Sequence, residues 1–183
     1  MQPEADFIGL CHYRRVLLLP SCLDKKVIYC GDLQPSEAPG VMYQIYHSPE
    51  VLAYFLEHCD PLLREDLIPF LSKRHEKLAM RNLVLMPKQM FMLWQDFMQK
   101  QMIVLKKCRE ELSCLDIWTN KYDRRACGAL LERLTAYFVD WCTRRLDYRL
   151  EQCPIDNVPL PSNCQRDKES VDKMLTRIKE FSS

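Results

Sequence analysis

Apolar positions follow two regimes along this chain. Up to about residue 47 they come in short blocks: Phe7, Ile8, Leu10 and Cys11, then Val16 to Leu19, then Val27 to Cys30. Blocks this short predict strands. The first lies within Asp6–Tyr13 and does not alternate strictly, which suits a strand buried on both faces of a parallel sheet. Pro20 stops the second block, and Lys26–Cys30 predicts another short strand. Residues 31–40 hold two prolines and two glycines and predict a loop.

Beyond residue 47 the pattern turns helical. Ser48-Pro49-Glu50 combines an N-cap residue, a first-turn proline and an acid at the positive dipole end. It predicts a helix to about Cys59. Asp60-Pro61 opens the next helix by the same logic, with Pro69 expected to interrupt it. Asn82–Met86 predicts a strand closed by Pro87. Lys88–Leu112 carries Met90, Phe91, Trp94, Phe97, Met98 and Leu105 at helical spacing, a stripe that reads as core. A second long helix is expected over Tyr122–Leu150, burying Leu130, Leu134, Tyr137, Phe138, Trp141 and Cys142. Residues 151–167 contain three prolines and read as a linker, and Val171, Met174, Leu175, Ile178 and Phe181 outline a short amphipathic helix over 168–183. The expectation is a helix-rich α/β domain over 1–150, a linker and a C-terminal helix.

Composition narrows the function classes. With 183 residues the chain is long enough for one domain with a real core. Its formal net charge of +1 supplies no global field for nucleic acid or an anionic membrane. No apolar run approaches a membrane span. The 10 cysteines show no Cys-x-x-Cys spacing, which argues against a zinc ribbon or a redox pair. The N-terminus lacks a signal-peptide pattern, so reduced, buried thiols in a cytoplasmic protein are expected. The common dinucleotide, P-loop, nucleophile-elbow and zinc-protease motifs are absent.

Four constellations remain as candidate chemistry. His12-Tyr13-Arg14-Arg15 ends the first predicted strand, and arginine forks match phosphate geometry. In open α/β sheets ligands bind beyond strand carboxyl ends. The run is therefore either an anion site or a basic surface turn. Tyr43 and His47, if helical, lie one turn apart on one face, open to a ligand or closing a turn. Asn82 stands before its strand, where its amide can meet a sugar hydroxyl or close a turn. The last is Arg125, Gly128, Glu132 and Arg133. Gly128 sits within a helical pattern, where it costs about 1 kcal/mol relative to alanine and often marks a helix start or a close approach. Nearby arginines favour the charged form of a carboxylate, which can then accept a proton. An ordinary surface ion pair is the other reading of that cluster.

Taken in order, these segments resemble a family of bacterial glycosyltransferase-like domains of capsular and exopolysaccharide biosynthesis. The resemblance rests on Gly9-Leu-Cys-His-Tyr-Arg-Arg15, on Tyr43-x-x-x-His47, on Asn82-Leu-Val-Leu-Met-Pro-Lys88, and on Tyr122-x-x-Arg125-x-x-Gly128-x-x-x-Glu132-Arg133. It covers roughly residues 6 to 145. It implies a partial GT-A-like nucleotide-sugar transferase domain, with few strands and long C-terminal helices. The implied activity is transfer of a sugar from a nucleotide-sugar donor to a saccharide acceptor, of the hexosyltransferase type, at the cytoplasmic face of a membrane polysaccharide-assembly complex. It also implies roles. His12, Tyr13, Arg14 and Arg15 would face the donor diphosphate. Tyr43, His47, Asn82, Arg125 and Gly128 would serve the acceptor or sugar, and Glu132 would be the base. No Asp-x-Asp pair is present, so no metal ligands are assigned and a divalent cofactor is left open. Family members carry strands and helices before the His-Tyr-Arg-Arg strand, so the chain is expected to be N-terminally truncated. The competing expectation is a non-catalytic remnant acting as a helical interaction domain.

Overall fold

The computed structural model describes residues 5–10, 15–79, 82–118 and 123–157. The chain is helix-rich α/β, as the pattern predicts. In order the elements are β1 (Phe7–Leu10), β2 (Arg15–Leu17), β3 (Val27–Cys30), β4 (Leu33–Ser36), α1 (Pro39–Tyr46), α2 (Pro49–His58), α3 (Pro61–Ser72), β5 (His75–Ala79), β6 (Val84–Pro87), α4 (Lys88–Glu111), α5 (Ala126–Arg145), β7 (Arg149–Gln152) and β8 (Ile155–Asn157). Short 3₁₀ turns join α4 to α5, the last of them over Asp123–Arg125.

The main sheet has the order β1-β6-β3-β7. β6 runs antiparallel to β1 and β3, and β7 runs parallel to β3. The carboxyl ends of β1, β3 and β7 therefore share one side of the sheet. β3 reads Val-Ile-Tyr-Cys and is buried at all four positions, because both of its faces are covered. Ile28 and Cys30 pack with Val84, Met86, Met90, Phe138, Val139 and Cys142 beneath α4 and α5. Val27 and Tyr29 pack on the other face with Cys153, Phe7, Leu17 and Leu85. A second, larger core joins the helices to one another through Tyr43, Phe55, Leu67, Phe70, Leu130 and Leu134. Two small antiparallel pairs, β2 with β8 and β4 with β5, flank the sheet.

Several expectations need correction. The strand expected to be buried on both faces, β1, is a half-buried edge strand paired antiparallel with β6; the doubly buried strand is β3. Residues 31–40 are not simply a loop. Leu33–Ser36 forms β4, and its proline is tolerated because β4 pairs on one side only, across a register shift. Pro39 then starts α1. Pro69 does not interrupt α3, which continues to Ser72 with Pro69 on its exposed face. Asn82 lies in a turn before β6 rather than in the strand. α5 is shorter than Tyr122–Leu150. It begins at Ala126 and stops at Arg145, where Asp147 takes a left-handed conformation (φ 56°) and reverses the chain into β7. Sheet structure thus continues past residue 150, through β7 and β8, into the stretch expected to be linker. The rest of that linker and the expected C-terminal helix lie outside the described residues.

The helix starts illustrate how local sequence sets geometry. Asp60 caps α3 by accepting from the Leu62 and Leu63 amides at 2.9 and 3.2 Å. Ser48 occupies the N-cap position of α2, but its hydroxyl turns to the Glu50 carboxylate instead of the backbone.

Candidate functional site

α5 links the sheet to the candidate site. Its C-terminal half lies on the sheet through Phe138, Val139 and Cys142, and its N-terminal half lies in the helical core through Leu130 and Leu134. A tight reversal leads from α5 into β7, with the Leu146 and Tyr148 amides both donating to the Cys142 carbonyl, at 3.0 and 3.5 Å. α5 and β7 therefore run in opposite directions. The N-terminus of α5 lies on the side of the sheet to which the carboxyl ends of β1, β3 and β7 point.

The head of α5 is fastened to α1 and α2. Tyr43 is fully buried, and its hydroxyl donates to the Ala126 carbonyl at 3.3 Å. Burial pushes its phenol well above the usual range, so Tyr43 stays a neutral donor. Its ring packs against His47, with centroids 5.1 Å apart. Asp123, also buried, accepts from the Ser48 amide at 2.8 Å and ties the last 3₁₀ turn to the α1–α2 junction. Arg124 donates from Nε to the Trp118 carbonyl at 3.2 Å.

These ties leave an open pocket of about 560 Å³ lined by Tyr46, His47, Arg124, Arg125, Gly128, Ala129, Glu132 and Arg133. Five residues singled out from sequence, His47, Arg125, Gly128, Glu132 and Arg133, share its wall. Tyr43 stands behind that wall as a buried strut. Gly128 has no positive φ, and a Cβ built on it would meet nothing within 4 Å. Neither backbone conformation nor protein packing requires glycine there. Arg133 is largely buried, with its Nη1 at 3.9 Å from Glu132 Oε2, and its Nε is buried without a hydrogen-bond partner among the described residues. Burial pushes the Arg133 guanidinium below its usual pKa, against the opposing pull of Glu132.

The other candidates lie elsewhere. His12, Tyr13 and Arg14 fall outside the described residues. Arg15 begins β2, half-buried, in register with Asn157. Asn82 occupies the left-handed region (φ 50°), where asparagine is among the better tolerated residues. Its Oδ1 is buried with no partner among the described residues. It precedes β6 at the sheet edge where β1 and β3 end. Leu10 pairs with Val84 there, and the Gly31 amide donates to the Leu83 carbonyl at 2.9 Å. Sequence reasoning missed Tyr46 and the buried Asp123. Asp123 directly precedes the arginine pair, and an acid before two arginines at a helix start was the available signal.

A larger groove of about 980 Å³ lies among α3, α4 and α5, floored by Phe97, Tyr137, Phe138 and Trp141. Asp66 at its rim accepts from the Tyr137 hydroxyl at 2.8 Å. Its residues on α5 project from the opposite side of that helix to Gly128 and Glu132, and it holds none of the residues of the four candidate constellations. Among the described residues, no three His, Cys, Asp or Glu side chains gather as a metal site, and no helix is long and apolar enough to cross a membrane. The described cysteines are unpaired. Burial raises the thiols of Cys108 and Cys142 to about 12, so they remain protonated and inert.

No family model matches the chain, and no curated protein matches it in sequence. Among solved structures, it is similar to the apo form of WbbM, a bifunctional glycosyltransferase, with a TM-score of 0.57 and 14% identity. The similarity covers 86% of this chain and 34% of that one, so the chain spans about a third of the length of the protein it matches. The described residues share a glycosyltransferase-like fold.

Proposed function

We propose that this chain is a glycosyltransferase-like domain that moves a sugar from a nucleotide-sugar donor to a saccharide acceptor, as in capsular or exopolysaccharide assembly. The observation that carries the reading is the convergence of His47, Arg125, Gly128 and Glu132 on one pocket at the head of α5, on the carboxyl side of the sheet. That is the side where α/β folds bind ligands. In this reading Glu132 accepts the proton of the acceptor hydroxyl. The new bond joins that oxygen to the anomeric carbon. The bond between the anomeric carbon and the diphosphate breaks, and the nucleoside diphosphate leaves with its charge met by His12, Tyr13, Arg14 and Arg15. Asn82, in the turn before β6 at the same sheet edge, serves a sugar hydroxyl. GT-A-like architecture and residence at the inner face of a membrane assembly belong to this proposal and rest on the sequence resemblance.

Titration calorimetry with a panel of UDP- and GDP-sugars tests it. Heat with one donor, lost in Arg14→Ala and Arg15→Ala, is expected. A folded chain that binds none of them overturns the transferase reading and leaves the interaction-domain reading. The exposed Leu62 and Leu93 at the rim of the aromatic groove favour that second reading.

A further inference from the structure

The pocket at the head of α5 carries more positive charge than its own residues neutralise. Arg124, Arg125 and Arg133 face it with one carboxylate, Glu132. The Arg133 side chain is 14% exposed, and its nearest carboxylate oxygen is 3.9 Å away, beyond hydrogen-bond length. A guanidinium removed from water with so little pairing is costly unless an anion completes it. Gly128 opens onto empty space in the first turn of α5, clearing an approach beside the arginines.

We propose that this pocket takes an oxyanion-bearing sugar unit, a saccharide carrying a carboxylate or a phosphate. Arg133 is its principal partner, and Arg124 and Arg125 complete the cationic wall. The saccharide part rests on the proposed function, while the anion part rests on the charge and geometry just described. Arginine suits the role because its planar fork pairs bidentately with either group.

Chemical-shift titration of the full chain with glucuronate, glucose 6-phosphate, glucose and inorganic phosphate tests the inference. At least one anionic sugar is expected to bind ten-fold or more tightly than glucose, with its shifts centred on residues 123–133. Added salt is expected to weaken it, and Arg133→Met to abolish it. Gly128→Leu, which leaves every charge in place, is a second variant expected to block binding by filling the approach. Equal binding of glucose, or anion binding that survives both variants, overturns the inference. Inorganic phosphate binding as tightly as the sugar phosphate reduces the pocket to a simple anion site and also overturns it. If UDP- or GDP-sugar heat persists while anionic selectivity is missing, this inference alone fails. If anion selectivity holds and no nucleotide sugar binds, the transferase reading alone fails.

Discussion

Replacing Gly128 separates stability from ligand binding, because the two are expected to move in opposite directions. Gly128 is the third residue of α5, has ordinary backbone angles, and offers an added Cβ no neighbour within 4 Å. Alanine in a helix gains up to about 1 kcal/mol over glycine, largely by restricting the unfolded chain. In the first turn, where amides lack helical partners, about 0.5 kcal/mol is a fair share of that. For a chain of this size that raises Tm by roughly 1–2 °C. Leucine, another good helix former, should hold most of that gain while its side chain occupies part of the 560 Å³ pocket. Thermal unfolding followed by circular dichroism reads the first effect, and titration with the ligand that the wild type binds reads the second. The expected pair is an unchanged or higher Tm with weakened binding, more so for leucine than for alanine. A drop in Tm of several degrees for alanine would mean that packing requires the glycine. Undiminished binding in the leucine variant would mean that nothing enters beside it.

Three further outcomes follow from the same structure. Gly31→Ala should lower stability by about 1–3 kcal/mol in urea unfolding, since the new methyl would overlap the buried Leu83 side chain and the Leu17 Cδ2 at 2.7 Å. Burial alone would raise the Asp66 carboxyl, but the Tyr137 hydrogen bond and the Arg144 charge outweigh it and hold it below its usual value. Its contribution is therefore present above the unfolded-state pKa of about 4 and is lost as pH falls through the lower folded value, so Asp66→Asn should flatten the acid limb of the Tm-against-pH curve by a small amount, about 0.5 kcal/mol for a group one-third exposed. Brief alkylation with peptide mapping should label the exposed Cys22 and Cys114, while Cys30, Cys59, Cys108, Cys142 and Cys153 stay protected until denaturant is added.

The helical half of this fold was legible in the sequence because its signals are local. Ser48-Pro49 and Asp60-Pro61 start α2 and α3 where expected, and the Met and aromatic stripe of Lys88–Leu112 becomes α4 almost residue for residue. The strands were harder, since their status depends on partners far along the chain. β1 and β3 carry similar apolar blocks, yet only β3 has neighbours on both edges and cover on both faces. β5, β7 and β8 are polar enough to read as connections, and only pairing makes them strands. Proline misled at Pro35 and Pro69, where an unpaired edge and a solvent-facing helix side absorb the missing donor. In the site, residue types at helical spacing pointed to His47, Arg125, Gly128 and Glu132. The burial of Tyr43 and Asp123 behind that wall depends on how α1, α2 and α5 dock, which no local pattern encodes.

The proposed function places ligand binding at the head of α5 rather than in the larger aromatic groove on the other side of that helix. Hydrogen–deuterium exchange with and without a bound nucleotide sugar and a saccharide acceptor tests it most directly. Added protection is expected across residues 43–48 and 123–133, reduced in Gly128→Leu. Protection confined to residues 60–66 and 93–101 along the groove, or protection at neither place while the ligands remain bound, would contradict it.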